Sequence, residues 1–423
     1  MHLLRRVALV VGLSLLARGT YGRPSEKPDP QPAVTVASQP GMTHGKGKPL
    51  SETTRRGLGW LAKHQLRGGG WGQGDESPSM GHSLDDQRDR ANVADTAMAV
   101  LAFLRAGSTA RVGEFQDSVQ HGIEYVLGQV EASDDSSLKV TEVSGTRVQM
   151  KIGQFVDTFA ALVMLDEARG AMRDGIANAR VDAAIKKIVK KIERNQKNDG
   201  GWEGHGWAPV LSQALAAKGL NRAAQSGTAV SQIVLDRVEK QAQAATAGKQ
   251  FAADAAAGVE LYSGAAAAST VEESYHTKRA NVDSMKAKAA KAGRGKEVQS
   301  PDAPTPAEIA HAEADAKTSR KAADASQAKL AERLNDPHFV SGFGSNGGEE
   351  FLSYLLMSEA LLAKGGSEWT KWDTRVAKLV TGVQNGDGSW TGHHCITGRT
   401  FCTAAALLLL MADRAPVQAA IAG

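Results

Sequence analysis

Three short stretches decide the fold: Gln65-Leu-Arg-Gly-Gly-Gly-Trp71, Gln196-Lys-Asn-Asp-Gly-Gly-Trp202 and Gln384-Asn-Gly-Asp-Gly-Ser-Trp390. Each reads Gln, five residues, Trp, with glycine between, and each follows a helical pattern such as Val181–Ile192 or Val376–Val383. Glycine after a helix permits the left-handed backbone of a C-cap and a tight turn. The expected roles are Trp as a packed anchor and Gln as partner to the loose carbonyls at the helix end. Recurrence at one spacing makes this a repeat unit.

Downstream of these loops come helices rich in Ala and Leu and poor in charge, with starts near Val93, Val156, Trp207, Ala257, Glu349 and Thr400. A helix apolar on most of its circumference is buried, whereas the lysine-rich helices between them are amphipathic. The order outer helix, glycine loop, inner helix recurs about every 50–60 residues, the mark of a helical repeat array. The expectation is an all-α chain over residues 50–415: an α/α toroid of about six helical hairpins. A longer step before Glu349 marks a helical-hairpin insertion at about 271–335. Thr270-Val-Glu-Glu273 and Thr305-Pro306-Ala-Glu308 read as the capping boxes that open its two helices. This arm is either a solvated insertion or a docking surface for a protein partner.

The rest of the composition narrows the classes. Fifty basic against 46 acidic residues leave a net charge of +4, too balanced for a dedicated nucleic-acid binder. Residues 1–22 read as a secretory signal, with Arg5 and Arg6 before the apolar run Val7–Ala17 and small residues at Gly19 and Gly22. Residues 23–49, proline-rich, read as a solvated linker. Beyond the signal no apolar run reaches the roughly 18 residues of a membrane span. The expected location is therefore outside the cytoplasm, periplasmic or extracellular. In that compartment Cys395 and Cys402 are expected to form one disulfide; the alternative is a reactive thiolate at a helix N-terminus.

The Gln…Gly…Trp repeat with alternating helices resembles the prenyltransferase/squalene-cyclase repeat superfamily. The runs GSNGGEEFLSYL (344–355) and SWTGHHCITGRTFC (389–402) also resemble exported bacterial repeat proteins of unassigned activity. The superfamily's chemistries do not carry over residue by residue. Where squalene-type cyclases place the catalytic acid in Asp-x-Asp-Asp-Thr-Ala, this chain has Asn92-Val93-Ala94-Asp95-Thr96-Ala97, with Ala94 at the acid position. Prenyltransferases hold zinc through an Asp-x-Cys pair that is absent here, and the Gly-Cys-Gly-Glu-Gln run of thioester domains is absent too. Asp85-Asp86-Gln-Arg-Asp89 reads as a solvated charged loop.

The candidate catalytic groups are Glu349, Glu350, His393 and His394, at the starts of adjacent inner helices. A carboxylate beside an imidazole suits acid/base work, and one Glu with one His also suits zinc. The plainer reading is helix N-terminal charge and loop hydrogen bonding. Asp95, Asp157 and His205 are candidate ligand contacts, because parallel inner helices bring several positive dipole ends to one mouth. For Asp95 and Asp157, capping of backbone N–H groups is the simpler role. The sequence assigns no metal, cofactor or substrate. Two functions stand: a toroid binding or transforming an unidentified ligand at the mouth of its central cavity, or a non-catalytic envelope scaffold using the arm.

Overall fold

A computed structural model describes residues 42–44, 47–80, 84–248, 260–294, 303–340 and 347–418. The signal expected at 1–22 and most of the linker lie outside the described residues. Six helices form the inner wall: α2 (Val93–Arg105), α5 (Val156–Glu167), α7 (Pro209–Gln225), α9 (Glu260–Arg294), α12 (Gly348–Lys364) and α14 (Arg399–Leu410). Their starts fall within three residues of those expected. Each packs on the next, and α14 packs on α2, so the ring closes. Every residue of α2 is buried, as is every residue of α5 up to Asp166, which is why neither shows an amphipathic stripe.

Outside them lie α1 (Glu52–Lys63), α3 (Gln116–Ala132), α6 (Gly175–Arg194), α8 (Gln232–Thr246), α10 (Pro306–Arg333) and α13 (Gly366–Gly382). These are amphipathic: in α6 the buried set is Val181, Ala184, Ile185, Ile188, Val189, Lys191 and Ile192. Short helices α4 (Arg147–Ile152) and α11 (Pro337–Val340) precede α5 and α12. The molecule is an α/α toroid. Strands β1 (Met42–His44) and β2 (Pro416–Gln418) pair antiparallel, with Thr43 opposite Val417. Part of the stretch expected as solvated linker is thus tied to the far end of the chain. Among the described residues no helix is long and apolar enough to cross a membrane.

The three Gln…Trp loops are built alike. The indole N–H groups of Trp71, Trp202 and Trp390 donate to Leu61 O, Ile192 O and Val380 O, each at 2.8 Å. These carbonyls belong to the last turns of α1, α6 and α13, so Trp, not Gln, satisfies the helix end. The Gln side chains reach further. Gln65 donates to Gly69 O and Ser118 O, Gln196 to Gly200 O and Val234 O, and Gln384 to Gly388 O and Thr53 O. Each therefore ties its own loop to the next outer helix, and Gln384 ties the last repeat to the first. Gly69, Gly200 and Gly388 occupy the same place with φ of +87°, +93° and +97°. A Cβ on them would stand 2.5–2.9 Å from a backbone carbonyl of that next outer helix. The repeat spacing is thus a device for docking successive hairpins.

The insertion departs from expectation at its first end. Thr270 opens no helix; α9 runs unbroken for 35 residues, from the inner wall outward. The alanine-rich chain around it offers no breaker, and Thr270 is buried within the helix. The box at Thr305 does open α10: the Thr305 side chain accepts from Glu308 N and Glu308 reaches back to Thr305 N. The arm is not wholly solvated. Ala316, Ser319, Ala323, Ser326, Gln327 and Leu330 form a buried small-residue face on α10, and Ala323 packs with Val271 of α9 and Ala242 of α8. Only the distal parts, near residues 284–291 of α9 and 305–315 of α10, are largely exposed.

Candidate functional site

The inner helices run in one direction, so their N-termini gather at one end of the ring. Two of the acidic residues there link neighbouring helices. Asp157, on α5, accepts from Ala94 N at 2.9 Å at the start of α2, and from Gln149 Nε2 at 2.7 Å. Asp95, on α2, accepts from Asn92 Nδ2 at 2.7 Å and is drawn on by the Phe401 N–H at the start of α14. Asp157 is thus a buried cap of the adjacent helix rather than of its own, whereas Asp95 keeps Oδ1 buried without a hydrogen-bond partner of ordinary geometry. Asp95, expected as a ligand contact, is closed to solvent. Asp157 instead borders a cleft of about 410 Å³ with Gln149, Gln154, Thr158 and His205. His205 is exposed, its Nε2 3.6 Å from Glu203 Oε1.

Burial pushes the Asp95 carboxyl up to about 7, against its Asn92 bond. In the unfolded chain the ordinary value is 3.8. A carboxyl raised on folding contributes stability that is full below the unfolded value and is lost as pH rises through the folded one. Thermal melts of wild type are therefore expected to fall between pH 4 and 7, and Asp95→Asn to flatten that fall. An unchanged pH slope in the variant would refute the assignment.

The second cluster joins two distant stretches. Gly348 N donates to Ile396 O at 2.8 Å, and Ile396 N donates to Glu349 Oε2 at 3.1 Å. The contact depends on absent side chains: a Cβ on Gly347 would lie 2.3 Å from Ile396 O and 2.5 Å from His394 O. Glycine at 347, and at 392 across from it, lets the 392–396 loop lie against the start of α12. Cys395 in this loop has φ +63°, the one non-glycine residue with positive φ among the described residues. Such a backbone is costly and persists only where its surroundings hold it.

The result brings Glu349, His394 and Cys395 together, with one ligand atom from each lying within 4.8 Å of the others. His394 Nδ1 and Cys395 Sγ are 3.0 Å apart. Glu349 is fully buried, and its Oε1 has no hydrogen-bond partner of ordinary geometry. Burial pushes this carboxyl up to about 7, while the N–H groups of Glu349 and Ile396 pull it down. Burial and the Glu349 charge push the Cys395 thiol up to about 11. Lys151 and Arg147 of α4 act on it in the opposite sense.

Of the four residues expected to form the polar centre, two meet. Glu350 turns away and accepts from Tyr354 Oη. His393 is exposed and contributes its carbonyl, which accepts from Ser79 Oγ at 2.8 Å. The expected Cys395–Cys402 disulfide is not formed; both thiols are free. Cys402 is buried on α14 and donates to Ile396 O at 3.3 Å, whereas the strained Cys395 faces Glu349 and His394. Cys395 thus joins the cluster of Glu349 and His394, where the sequence favoured its pairing with Cys402.

At the opposite end of the inner helices lies a charged network absent from the sequence reading. Arg105 bonds Glu167 at 2.7 Å and Glu359 at 2.5 Å. Arg222 bonds Glu167, Glu273 and Glu359 at 2.9, 3.0 and 3.2 Å. Lys218 pairs with Glu273 at 3.2 Å and with Glu359. The signal was present: five of the six apolar inner helices, α14 being the exception, carry a charge toward the end away from the mouth. Three cations meet three carboxylates there, so the network is neutral as a whole.

No known protein family matches the chain, and no curated protein matches it. Among solved structures, a glycosidase variant is similar to it with a TM-score of 0.46, at 13% identity over 86% of this chain and 96% of that one. A glycosidase variant in complex with glucose gives a TM-score of 0.43 at the same identity and coverage. The class that fold and site define is an α/α toroid with a polar cluster at the N-terminal mouth of its inner helices.

Proposed function

We propose that this exported toroid binds or transforms a ligand at the N-terminal mouth of the ring, with Glu349, His394 and Cys395 as its polar centre. The observation that carries this reading is the fully buried Glu349, whose Oε1 has no hydrogen bond of ordinary geometry and which lies with an exposed histidine and a cysteine thiol. A buried polar atom left unpaired costs about 1–3 kcal/mol, and such a cost is met at sites that a ligand completes. At the same end of the inner helices a separate cleft, lined by Gln149, Asp157 and His205 and by no residue of the cluster, gives room for a small polar molecule. The loop carrying His394 and Cys395 is fixed by backbone bonds to α12, which suits a preorganised site.

The test is mass spectrometry of small molecules that co-purify with the secreted full chain, wild type against Glu349→Gln. At least one molecule is expected to be retained by wild type and lost in the variant. Identical retained sets would overturn this reading. The scaffold reading, which rests on the exposed distal parts of α9 and α10, would then take its place.

A further inference from the structure

We propose that Glu349, His394 and Cys395 form a three-ligand site for a borderline-soft divalent cation, zinc above all, with a fourth position open to solvent. This rests on the mouth being the functional end and names what occupies it. Carboxylate, imidazole and thiolate are the three donor types zinc takes from proteins, and three protein ligands with one open position is its catalytic arrangement. Thiolate with imidazole disfavours magnesium and calcium, which prefer oxygen.

The geometry supports this independently of the residue types. At ordinary bond lengths the ligand atoms of a tetrahedral zinc stand roughly 3.3–3.8 Å apart. Here His394 Nδ1 and Cys395 Sγ are 3.0 Å apart and all three ligand atoms lie within 4.8 Å. The 4.8 Å limit is wider than that spacing, so the ligands must draw in around an ion, and the exposed His394 side chain has room to move. Glu349 Oε2 is held by Ile396 N, which orients the carboxyl, while Oε1 is buried with no hydrogen bond of ordinary geometry and the Cys395 thiol stands beside the carboxyl, so both can turn to an ion. That bond is the outer support a metal-binding carboxylate ordinarily receives. The positive φ of Cys395 is the backbone cost of turning its sulfur to the same point. Cys402 is excluded, its thiol being spent on Ile396 O.

Cobalt(II), added to the full-length protein after chelator treatment, reads out each ligand. Wild type is expected to take up stoichiometric metal with a near-ultraviolet thiolate-to-cobalt charge-transfer band, displaced by zinc. Cys395→Ser should abolish the band, and Cys402→Ser should keep it. His394→Ala, a change at an exposed side chain, should weaken binding by more than the roughly 10–100-fold that loss of a mere supporting residue costs. Glu349→Gln should weaken it similarly, with circular dichroism to verify folding. No band in wild type, or a band that survives Cys395→Ser, would overturn the metal site. No cobalt band in wild type that still retains its small molecule would sink the metal and leave the mouth standing. Metal uptake without any retained molecule would do the reverse.

Discussion

Glu359→Ala is expected to destabilise the toroid by about 3–5 kcal/mol, the cost of breaking a buried ion pair by removing one partner. Glu359 is the carboxylate that touches all three cations of the network, Arg105, Lys218 and Arg222. Its loss leaves those three facing only Glu167 and Glu273, with an unbalanced positive charge inside the ring. The cations raise the cost, because their side chains are nearly closed to solvent and water cannot replace the missing partner. Urea unfolding of wild type and variant measures the difference; a change below about 1 kcal/mol, typical of exposed pairs, would refute the network's importance.

The same network sets the acid limit. Arg105, Lys218 and Arg222 hold Glu359 well below the usual carboxylate range despite its burial, and Arg222 and Lys218 hold Glu273 below it. A carboxyl depressed on folding contributes stability above its unfolded value and loses it as pH falls toward the folded one. This slope is opposite in sign to that of Asp95. Stability is therefore expected to be highest between the two, in mildly acidic solution.

Trp390→Ala is expected to cost about 3–5 kcal/mol, as for other buried large aromatic side chains. Trp390 is fully buried, touches the wall between α13 and α14, and donates to Val380 O. It also fixes the loop in which Gln384 reaches Thr53 O and so closes the last hairpin on the first. Trp390→Phe separates the two contributions: it keeps most of the packing and removes the indole donor, while Val380 O keeps the Val383 N–H at 3.3 Å, so the loss is that of one hydrogen bond, about 0.5–1.5 kcal/mol. Trp71→Ala and Trp202→Ala, in equivalent places, should give losses of the same order in denaturant melts. A loss at Trp390 near zero would show that the repeat loops do not hold the ring together.

The mouth and the charged end differ in how far they could be read in advance. Gln65, Trp71, Gln196, Trp202, Gln384 and Trp390 announced the repeat because their spacing is local, and local spacing is what a sequence displays. The six inner helices were legible for the same reason: a helix buried on all sides must be apolar on all sides. The uninterrupted α9 was not, since Thr270-Val-Glu-Glu273 has the residues of a cap and only packing shows that no helix begins there.

Sequence by itself determined an all-α ring of hairpins and the identity of its inner wall, and it put Glu349 and His394, which the structure brings together, among the candidate groups. Tertiary structure decided the rest. It sent Asp157 to cap a neighbouring helix, closed Asp95 off from solvent, turned Glu350 to Tyr354, and gave Cys395 to Glu349 and His394 instead of to Cys402. It also assembled six charges from five chain-distant helices... α2, α5, α7, α9 and α12, into one neutral network. The physical reason is that helix formation depends on neighbours a few residues away, whereas the partner of a buried polar atom is chosen by which helices the closed ring brings side by side.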